Sequence, residues 1–405
     1  MSEFLNLILA IIIILFAAKT AGALSVRIGQ PSVLGELLAG LILGPTVLNM
    51  LEVWPMFADD HLLPETLTLM AEFGVLLLMM LAGLELHINE LLETGKVAGL
   101  AGSLGVLIPL ALGYGTAVFF GLPFGEAVFI GLALSATSVS ISAQTLMELG
   151  VLRSRVGLSM LGAAVFDDVL VILLLSLTSL LLAGGGSEGG IGPLFLTIGR
   201  MVGYLVGASL IGVWLLPRLA NKVSDINIHY GMLTFALATT LLYAWTAEAV
   251  GGMAGITGAF LAGLFFARTP YRRDIEQGIA AMGYGLFVPI FFVNIGLSVN
   301  LAAISGSAWI FAIVLTLVAI ASKILGCGAG GRLGGLTNRE SFQLGVGMVS
   351  RGEVGLIVAA FAVAQGVLTQ DSFSITVFMV IIATLVTPPM LRLAFAQEKE
   401  ATAGS

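Results

Sequence analysis

Apolar runs of about 20 residues recur along almost the whole chain, separated by short polar connections. A run of this length is what an α-helix needs to cross the hydrocarbon core of a bilayer. We number the predicted segments as spans 1 to 13. They lie near residues 4–25, 31–50, 65–86, 96–120, 124–149, 155–183, 191–217, 229–248, 252–267, 276–299, 307–331, 339–366 and 372–395. The pattern predicts an all-α polytopic membrane protein with about 13 transmembrane helices.

Composition supports this prediction and excludes several classes of protein. Of the 405 residues, 58% are hydrophobic and only 10% are charged, which leaves no room for a soluble catalytic domain. One cysteine and three scattered histidines argue against a disulfide framework and against a His/Cys metal site. The chain has no P-loop, so we expect no role for ATP. We also expect no nucleotide-binding domain, no nucleic acid partner and no cofactor.

Charges in the connections predict the orientation. Basic residues concentrate in the odd-numbered connections, and cytoplasmic loops are the ones enriched in lysine and arginine. These residues are Arg27, Lys96, Arg153, Arg155, Arg218, Lys222, Arg268, Arg272, Arg273, Arg332, Arg339, Arg392 and Lys399. The N-terminus is therefore predicted outside and the C-terminus in the cytoplasm.

The chain contains an internal repeat. VLGELLAGLILG (Val33–Gly44) aligns with ITGAFLAGLFFA (Ile256–Ala267), and LLMMLAGLEL (Leu77–Leu86) resembles PIFFVNIGLSV (Pro289–Val299). Span 2 thus matches span 9, and span 3 matches span 10. An offset of seven spans is odd, so the two halves would lie in opposite orientations, which is the inverted-repeat plan of secondary transporters.

The repeat also indicates where helices are broken. Polar residues interrupt span 5 at Ser135–Ser142 and span 12 at Met348–Gly355, and inverted-repeat transporters bind ions where such helices cross near the midplane. For the Ser/Thr run the alternative is ordinary hydrogen bonding between helices. For Arg351 and Glu353 the alternative is a structural ion pair, or charges that balance the dipoles of the broken helices.

Three of the charged residues inside apolar spans are the main candidates for the working site. Asp167 and Asp168 are adjacent in span 6, where a single central aspartate costs roughly 3 kcal/mol to insert. Lys323 lies inside span 11, which predicts a buried charge. The alternative is a side chain that snorkels toward the inner surface of the membrane. Two adjacent carboxylates cannot easily both ionise in a low-dielectric site, so protons and cations would compete for them. One site with two mutually exclusive ligands is what an antiporter needs.

These segments resemble the bacterial monovalent cation/proton antiporters of the NapA and Kef type, members of the cation/proton antiporter superfamily with a Na+/H+ exchanger domain. The resemblance rests on ALSATSVSIS in span 5, AAVFDDV in span 6, the Lys323 segment and MVSRGEVGLIVA in span 12. It implies an NhaA-like fold, with inverted repeats and two discontinuous helices that cross.

The resemblance also implies roles for individual residues. Asp168 would be the cation- and proton-binding carboxylate and the main Na+ ligand, with Asp167 as its partner. Lys323 would form a salt bridge with Asp167, while Thr137 and Ser138 would bind ions at the crossing. In span 12, Arg351 and Glu353 would support the discontinuous helix.

The implied architecture is one membrane transport domain over residues 1–405. Residues 1–95 and 229–300 would form scaffold and dimer helices, residues 96–183 and 307–395 a moving core, and residues 191–217 a linker helix. We expect a homodimer in the lipid bilayer of a bacterial inner membrane.

We therefore expect a transporter and not an enzyme. It would exchange Na+ or Li+ for protons by alternating access, with more protons than cations moved per cycle. The alternatives are a K+/H+ antiporter of the same family and, from other classes, a gated cation channel or a proton-pumping subunit of a respiratory complex.

Overall fold

The structure is a computed structural model that describes residues 3–28, 30–84, 93–182, 192–226, 228–298, 306 and 308–403. Within these ranges the chain is helical and contains no β-strand. The helices are α1 Glu3–Arg27, α2 Ser32–Leu43, α3 Met50–Val53, α4 Leu62–Leu84, α5 Gly95–Phe119, α6 Phe124–Ser135, α7 Val139–Leu149, α8 Arg155–Leu182, α9 Gly192–Leu210, α10 Leu216–Ser224, α11 Gly231–Thr246, α12 Gly255–Phe266, α13 Arg272–Met282, α14 Val288–Leu297, α15 Trp309–Gly334, α16 Asn338–Gly347, α17 Glu353–Ala364 and α18 Gln370–Ala403. Short π-helical turns continue α9, α11 and α13.

Most of these helices are apolar enough to cross a membrane. Among the described residues, ten helical stretches have the length and composition of a span, and three shorter apolar helices accompany them. The shorter ones are Ser32–Leu43, Gly255–Phe266 and Val354–Val363. The predicted all-α polytopic fold class is therefore confirmed.

The chain divides into two compact units. The first contains the described parts of Met1–Thr66, Thr94–Thr178 and Phe292–Ser405, and the second contains those of Leu67–Glu93 and Ser179–Phe291. The described part of residues 1–66, which the resemblance assigns to the scaffold, thus packs in the same unit as the predicted core. A static packing unit is not a moving body, so the division into scaffold and core stays a prediction.

Small residues let the helices of the first unit approach closely. A Cβ atom on Gly326 would lie 2.6 Å from the Leu104 carbonyl oxygen, and one on Gly330 would lie 2.5 Å from that of Leu100. Because only glycine fits at such distances, α15 packs directly against the backbone of α5. This close packing holds Lys323 of α15 inside the unit.

The internal repeat is visible in equivalent contacts. In α6, Gly131 packs against the Leu110 carbonyl of α5. In α16, 214 residues later, Gly345 packs against the Ile324 carbonyl of α15, and Leu110 and Ile324 are themselves 214 residues apart. The two broken spans therefore pack against their neighbours in the same way, as a duplicated structural unit requires.

Candidate functional site

The first break interrupts span 5 between α6 and α7. Ala136 and Ser138 have extended backbone dihedrals, and α7 starts again at Val139. The Ser135 hydroxyl lies 3.0 Å from the carbonyl oxygens of both Val106 and Gly131, to either of which it donates. Because Val106 belongs to α5 and Gly131 to α6, this hydroxyl ties the end of α6 to its neighbouring helix.

The second break interrupts span 12 between α16 and α17. Arg351 is completely buried in it, and its guanidinium donates to the carbonyl oxygens of Met348 at 3.2 Å and Ala319 at 3.0 Å. The Thr384 hydroxyl of α18 donates in turn to the Arg351 carbonyl. The guanidinium thus lies at the C-terminal end of α16, where a cation meets the negative end of the helix dipole. The role of Arg351 as support for the discontinuous helix stays a prediction.

The two breaks lie against each other and are hydrogen-bonded across the crossing. The Ser138 amide donates to the Ser350 carbonyl at 3.0 Å, and the Ser350 hydroxyl donates back to the Ser138 carbonyl at 2.5 Å. The Ser142 hydroxyl donates at 2.5 Å to the carbonyl of Gly347, and Gly347 is the last residue of α16. The polar run in span 5 therefore does form hydrogen bonds between helices, and it does so at the place where the two interrupted helices meet.

The structure brings Asp167, Lys323 and Thr137 together beside this crossing. Lys323 Nζ lies 2.8 Å from Asp167 Oδ2, and both side chains are buried. The Thr137 hydroxyl donates to the same Asp167 oxygen. The other oxygen, Asp167 Oδ1, is buried and has no hydrogen-bond partner among the described residues.

Asp168 follows on the same helix and is also buried, with 7% of its surface exposed. Successive residues of an α-helix leave its axis about 100° apart, so the two carboxylates emerge from α8 in different directions. One carboxylate therefore pairs with Lys323, while its neighbour occupies a separate position in the same apolar interior.

Burial decides between the two interpretations of Lys323. Its side chain has no exposed surface, so the snorkelling alternative is wrong. A buried ammonium that keeps its charge must be paired, because the desolvation penalty is several kcal/mol per ion. For Glu353 the structure describes the backbone, which begins α17, and its side chain lies outside the described part.

Two residues that join the breaks, outside the carboxylate site itself, were given no role of their own from the sequence. Ser350 and Ser142 join breaks that are 208 residues apart in the chain. A serine beside an expected helix interruption is a weak signal, since serines in membrane helices commonly bond to their own helix. Only the crossing geometry shows which serine reaches the other helix.

Comparisons with known proteins identify the family of the chain. The family model described as the transmembrane sodium/hydrogen exchanger matches residues 11–397. The chain is 39% identical over 396 residues to the Na(+)/H(+)-K(+) antiporter GerN of Bacillus cereus, with 98% of both chains covered. It is 32% identical over 430 residues to the high-affinity Na(+)/H(+) antiporter NhaS3 of Synechocystis sp., covering 98% of this chain and 91% of that protein.

A solved structure shares the fold. The sodium proton antiporter MjNhaP1 from Methanocaldococcus jannaschii at pH 8 superposes with a TM-score of 0.68 at 18% identity, covering 97% of each chain. The match of the family model over nearly the whole chain, together with two relatives above 30% identity, shows that this protein belongs to the sodium/hydrogen exchanger family of the cation/proton antiporter superfamily.

Proposed function

We propose that this protein exchanges Na+ or Li+ for protons across the membrane, with both ions competing for one site at Asp168 and Asp167. The observation that carries the proposal is the oxygen Asp167 Oδ1, which has no hydrogen-bond partner within the described part of the chain and is buried next to a second buried carboxylate at the crossing of two broken helices. A buried carboxylate oxygen without a partner is costly unless something occupies it during the working cycle.

In this mechanism each residue of the site has one task. Lys323 and Thr137 hold Asp167 Oδ2, and Asp167 Oδ1 and Asp168 are the groups that meet the transported ion. Hydroxyl and carbonyl oxygens of Thr137 and Ser138 complete the oxygen ligands that a hard cation prefers. A proton that binds to Asp168 removes the charge that attracts the cation, so the cation leaves when the proton arrives.

Potassium is the second candidate for the cation. The relative GerN is described by name as a Na(+)/H(+)-K(+) antiporter. Two carboxylates with neighbouring hydroxyl and carbonyl oxygens suit both ions chemically, so cavity size and rigidity would decide the selectivity. A comparison of Li+, Na+ and K+ in one assay separates the two proposals.

The transport movement is proposed as alternating access of the core, residues 96–183 and 307–395, against the scaffold. A hydrogen-bonded contact between the two predicted parts lies within the first compact unit. The Glu148 carboxylate of α7 accepts hydrogen bonds from the Ser32 amide at 2.6 Å and the Ser32 hydroxyl at 2.5 Å, at the start of α2. This contact would exist in one state of the cycle and open in the other.

We further propose that the protein is a homodimer through its scaffold helices, in a bacterial inner membrane, with the N-terminus outside. The support is the family membership and the distribution of basic residues described above. Cysteines placed singly in the predicted outer and inner loops, labelled with an impermeant reagent in intact cells, would test the orientation. Labelling of inner-loop positions from outside would overturn it.

The deciding experiment measures collapse of a proton gradient in proteoliposomes on addition of Li+, Na+ or K+. We expect exchange with the wild type, none with Asp168→Asn, and wild-type activity with Asp371→Asn, a matched change at an exposed aspartate. Activity of Asp168→Asn would overturn the site. Cation flux without proton movement would favour a channel, and rates that do not respond to membrane voltage would overturn electrogenic exchange.

A further inference from the structure

Resting on the proposed function, we propose that Ser350 is a positioning residue for cation binding. Its backbone and side chain clamp Ser138, and through that clamp it fixes the Thr137 hydroxyl on Asp167. Ser350 lies in the break of span 12 and contacts neither carboxylate through any hydrogen bond of the described structure. Its effect on the ion would therefore pass through the break of span 5.

The clamp consists of two hydrogen bonds in opposite directions. Ser138 donates its amide to the Ser350 carbonyl at 3.0 Å and accepts at its own carbonyl from the Ser350 hydroxyl at 2.5 Å. Both residues are buried, with at most 1% of their surface exposed, so water does not compete for these groups. Two bonds on one residue fix its orientation as well as its position, and both are strengthened by the low local dielectric.

The clamp reaches the ion pair over a short distance. Thr137 immediately precedes Ser138, and its hydroxyl donates to Asp167 Oδ2, the oxygen that Lys323 also contacts. The segment has little room to adjust, because a Cβ atom on Gly352 would lie 2.6 Å from the Ser138 hydroxyl oxygen. A change in the Ser138 backbone therefore moves Thr137 relative to the carboxylate and alters the direction in which Asp167 Oδ1 faces the cation.

Ser142 offers a matched comparison in the same crossing. Its hydroxyl lies 2.8 Å from the Ser350 hydroxyl and 2.5 Å from the Gly347 carbonyl, and it is as deeply buried. Removing it leaves both bonds between Ser350 and Ser138 intact. Ser350→Ala instead removes the hydroxyl that donates to the Ser138 carbonyl. Ser142→Ala and Ser350→Ala therefore each remove one serine hydroxyl, but only Ser350→Ala is expected to move Thr137.

The test uses the full-length protein in two assays. Exchange in proteoliposomes gives kcat and the apparent KM for Na+, and Na+-dependent stabilisation of the purified protein against heat reports binding without transport. Loss of one hydrogen bond is worth about 1 kcal/mol, so Ser350→Ala should raise both the KM and the Na+ concentration for half-stabilisation about three- to tenfold. Ser142→Ala should stay within about twofold of wild type.

A double-mutant cycle separates positioning from general support of the fold. If Ser350 acts through Thr137, Ser350→Ala should add little to the KM of Thr137→Val, whereas independent effects would multiply. Multiplied effects, or a wild-type KM for Ser350→Ala, overturn the proposal. If Ser350→Ala does not fold, Ser350→Cys keeps the size and a weak donor, and an intermediate KM is then expected.

The two proposals fail in different ways. Exchange by the wild type with no effect of Ser350→Ala overturns the clamp and leaves the antiport. A second outcome is that Na+ stabilises the wild type without any exchange, and that Ser350→Ala weakens this stabilisation. This outcome overturns the antiport and leaves the clamp. Neither exchange nor Na+ stabilisation of the wild type overturns both.

Discussion

The buried ion pair between Lys323 and Asp167 gives the sharpest prediction for stability. Lys323→Met replaces the ammonium by an apolar group of similar length and leaves the Asp167 carboxylate without its cation. We expect this variant to lose both stability and exchange. The double variant Asp167→Asn/Lys323→Met, which removes both charges, should recover much of the stability and none of the exchange.

The magnitude follows from the geometry. At 2.8 Å and an effective dielectric constant of 20, two unit charges attract by about 6 kcal/mol. Measured losses on breaking a buried pair are smaller, about 3–5 kcal/mol, because the charge left behind relaxes or becomes neutral. Asp167 keeps its hydrogen bond from Thr137, so we expect the lower end, about 3 kcal/mol, for the single variant. Replacing both charges by neutral groups of similar shape is often close to neutral.

Thermal unfolding of the detergent-purified protein measures this difference. The order of melting temperatures should be wild type close to the double variant, with Lys323→Met several degrees below both. Lys222→Met, at an exposed lysine of α10, controls for the loss of a lysine as such and should melt like wild type. If the double variant melted as low as Lys323→Met, the cost would come from lost packing and not from an uncompensated charge, and the electrostatic reasoning would be refuted.

Two further outcomes are expected. Gly40→Ala should cost about 1–3 kcal/mol because its Cβ would overlap the Val293 carbonyl oxygen, whereas Gly115→Ala, with open space around it, should not lower the melting temperature. Glu148→Ala removes two solvent-exposed hydrogen bonds to Ser32, worth about 1 kcal/mol together. It should shift the equilibrium between transport states about fivefold and change the maximal exchange rate, and an unchanged rate would mean that this contact does not open during the cycle.

Hydropathy and charge were sufficient to find the helices that form the candidate site. A carboxylate or ammonium in an apolar span is expensive, so Asp167, Asp168 and Lys323 stand out without any structural information. The breaks at Thr137 and Arg351 could be located because hydroxyls, a glycine and a charge interrupt otherwise apolar segments. Each of these signals depends only on neighbouring residues in the chain, so a single sequence is enough to detect it.

The partners of these residues could not be found in the same way. The hydrogen bonds between Ser138 and Ser350 join residues 212 positions apart, and the contact between Ser32 and Glu148 spans 116. Both depend on how helices cross, which is set by glycine contacts such as that of Gly345 with the Ile324 carbonyl. A sequence shows that a glycine is present but not which backbone approaches it.

The geometry of Asp167 also connects the ion pair to the proposed stoichiometry. With Lys323 charged and both aspartates ionised, these three groups sum to one negative charge, which one Na+ or one proton neutralises. Exchange of one cation for two protons needs a second place for a proton. Within the Asp167–Lys323 pair, Oδ2 already accepts from Lys323 and Thr137, so a second proton carried by the pair would bind at Oδ1 or be the one that Lys323 releases when the pair opens. Electrogenic exchange by these three groups would therefore need Asp167 or Lys323 to take part in proton transfer, because one proton on Asp168 balances only one Na+.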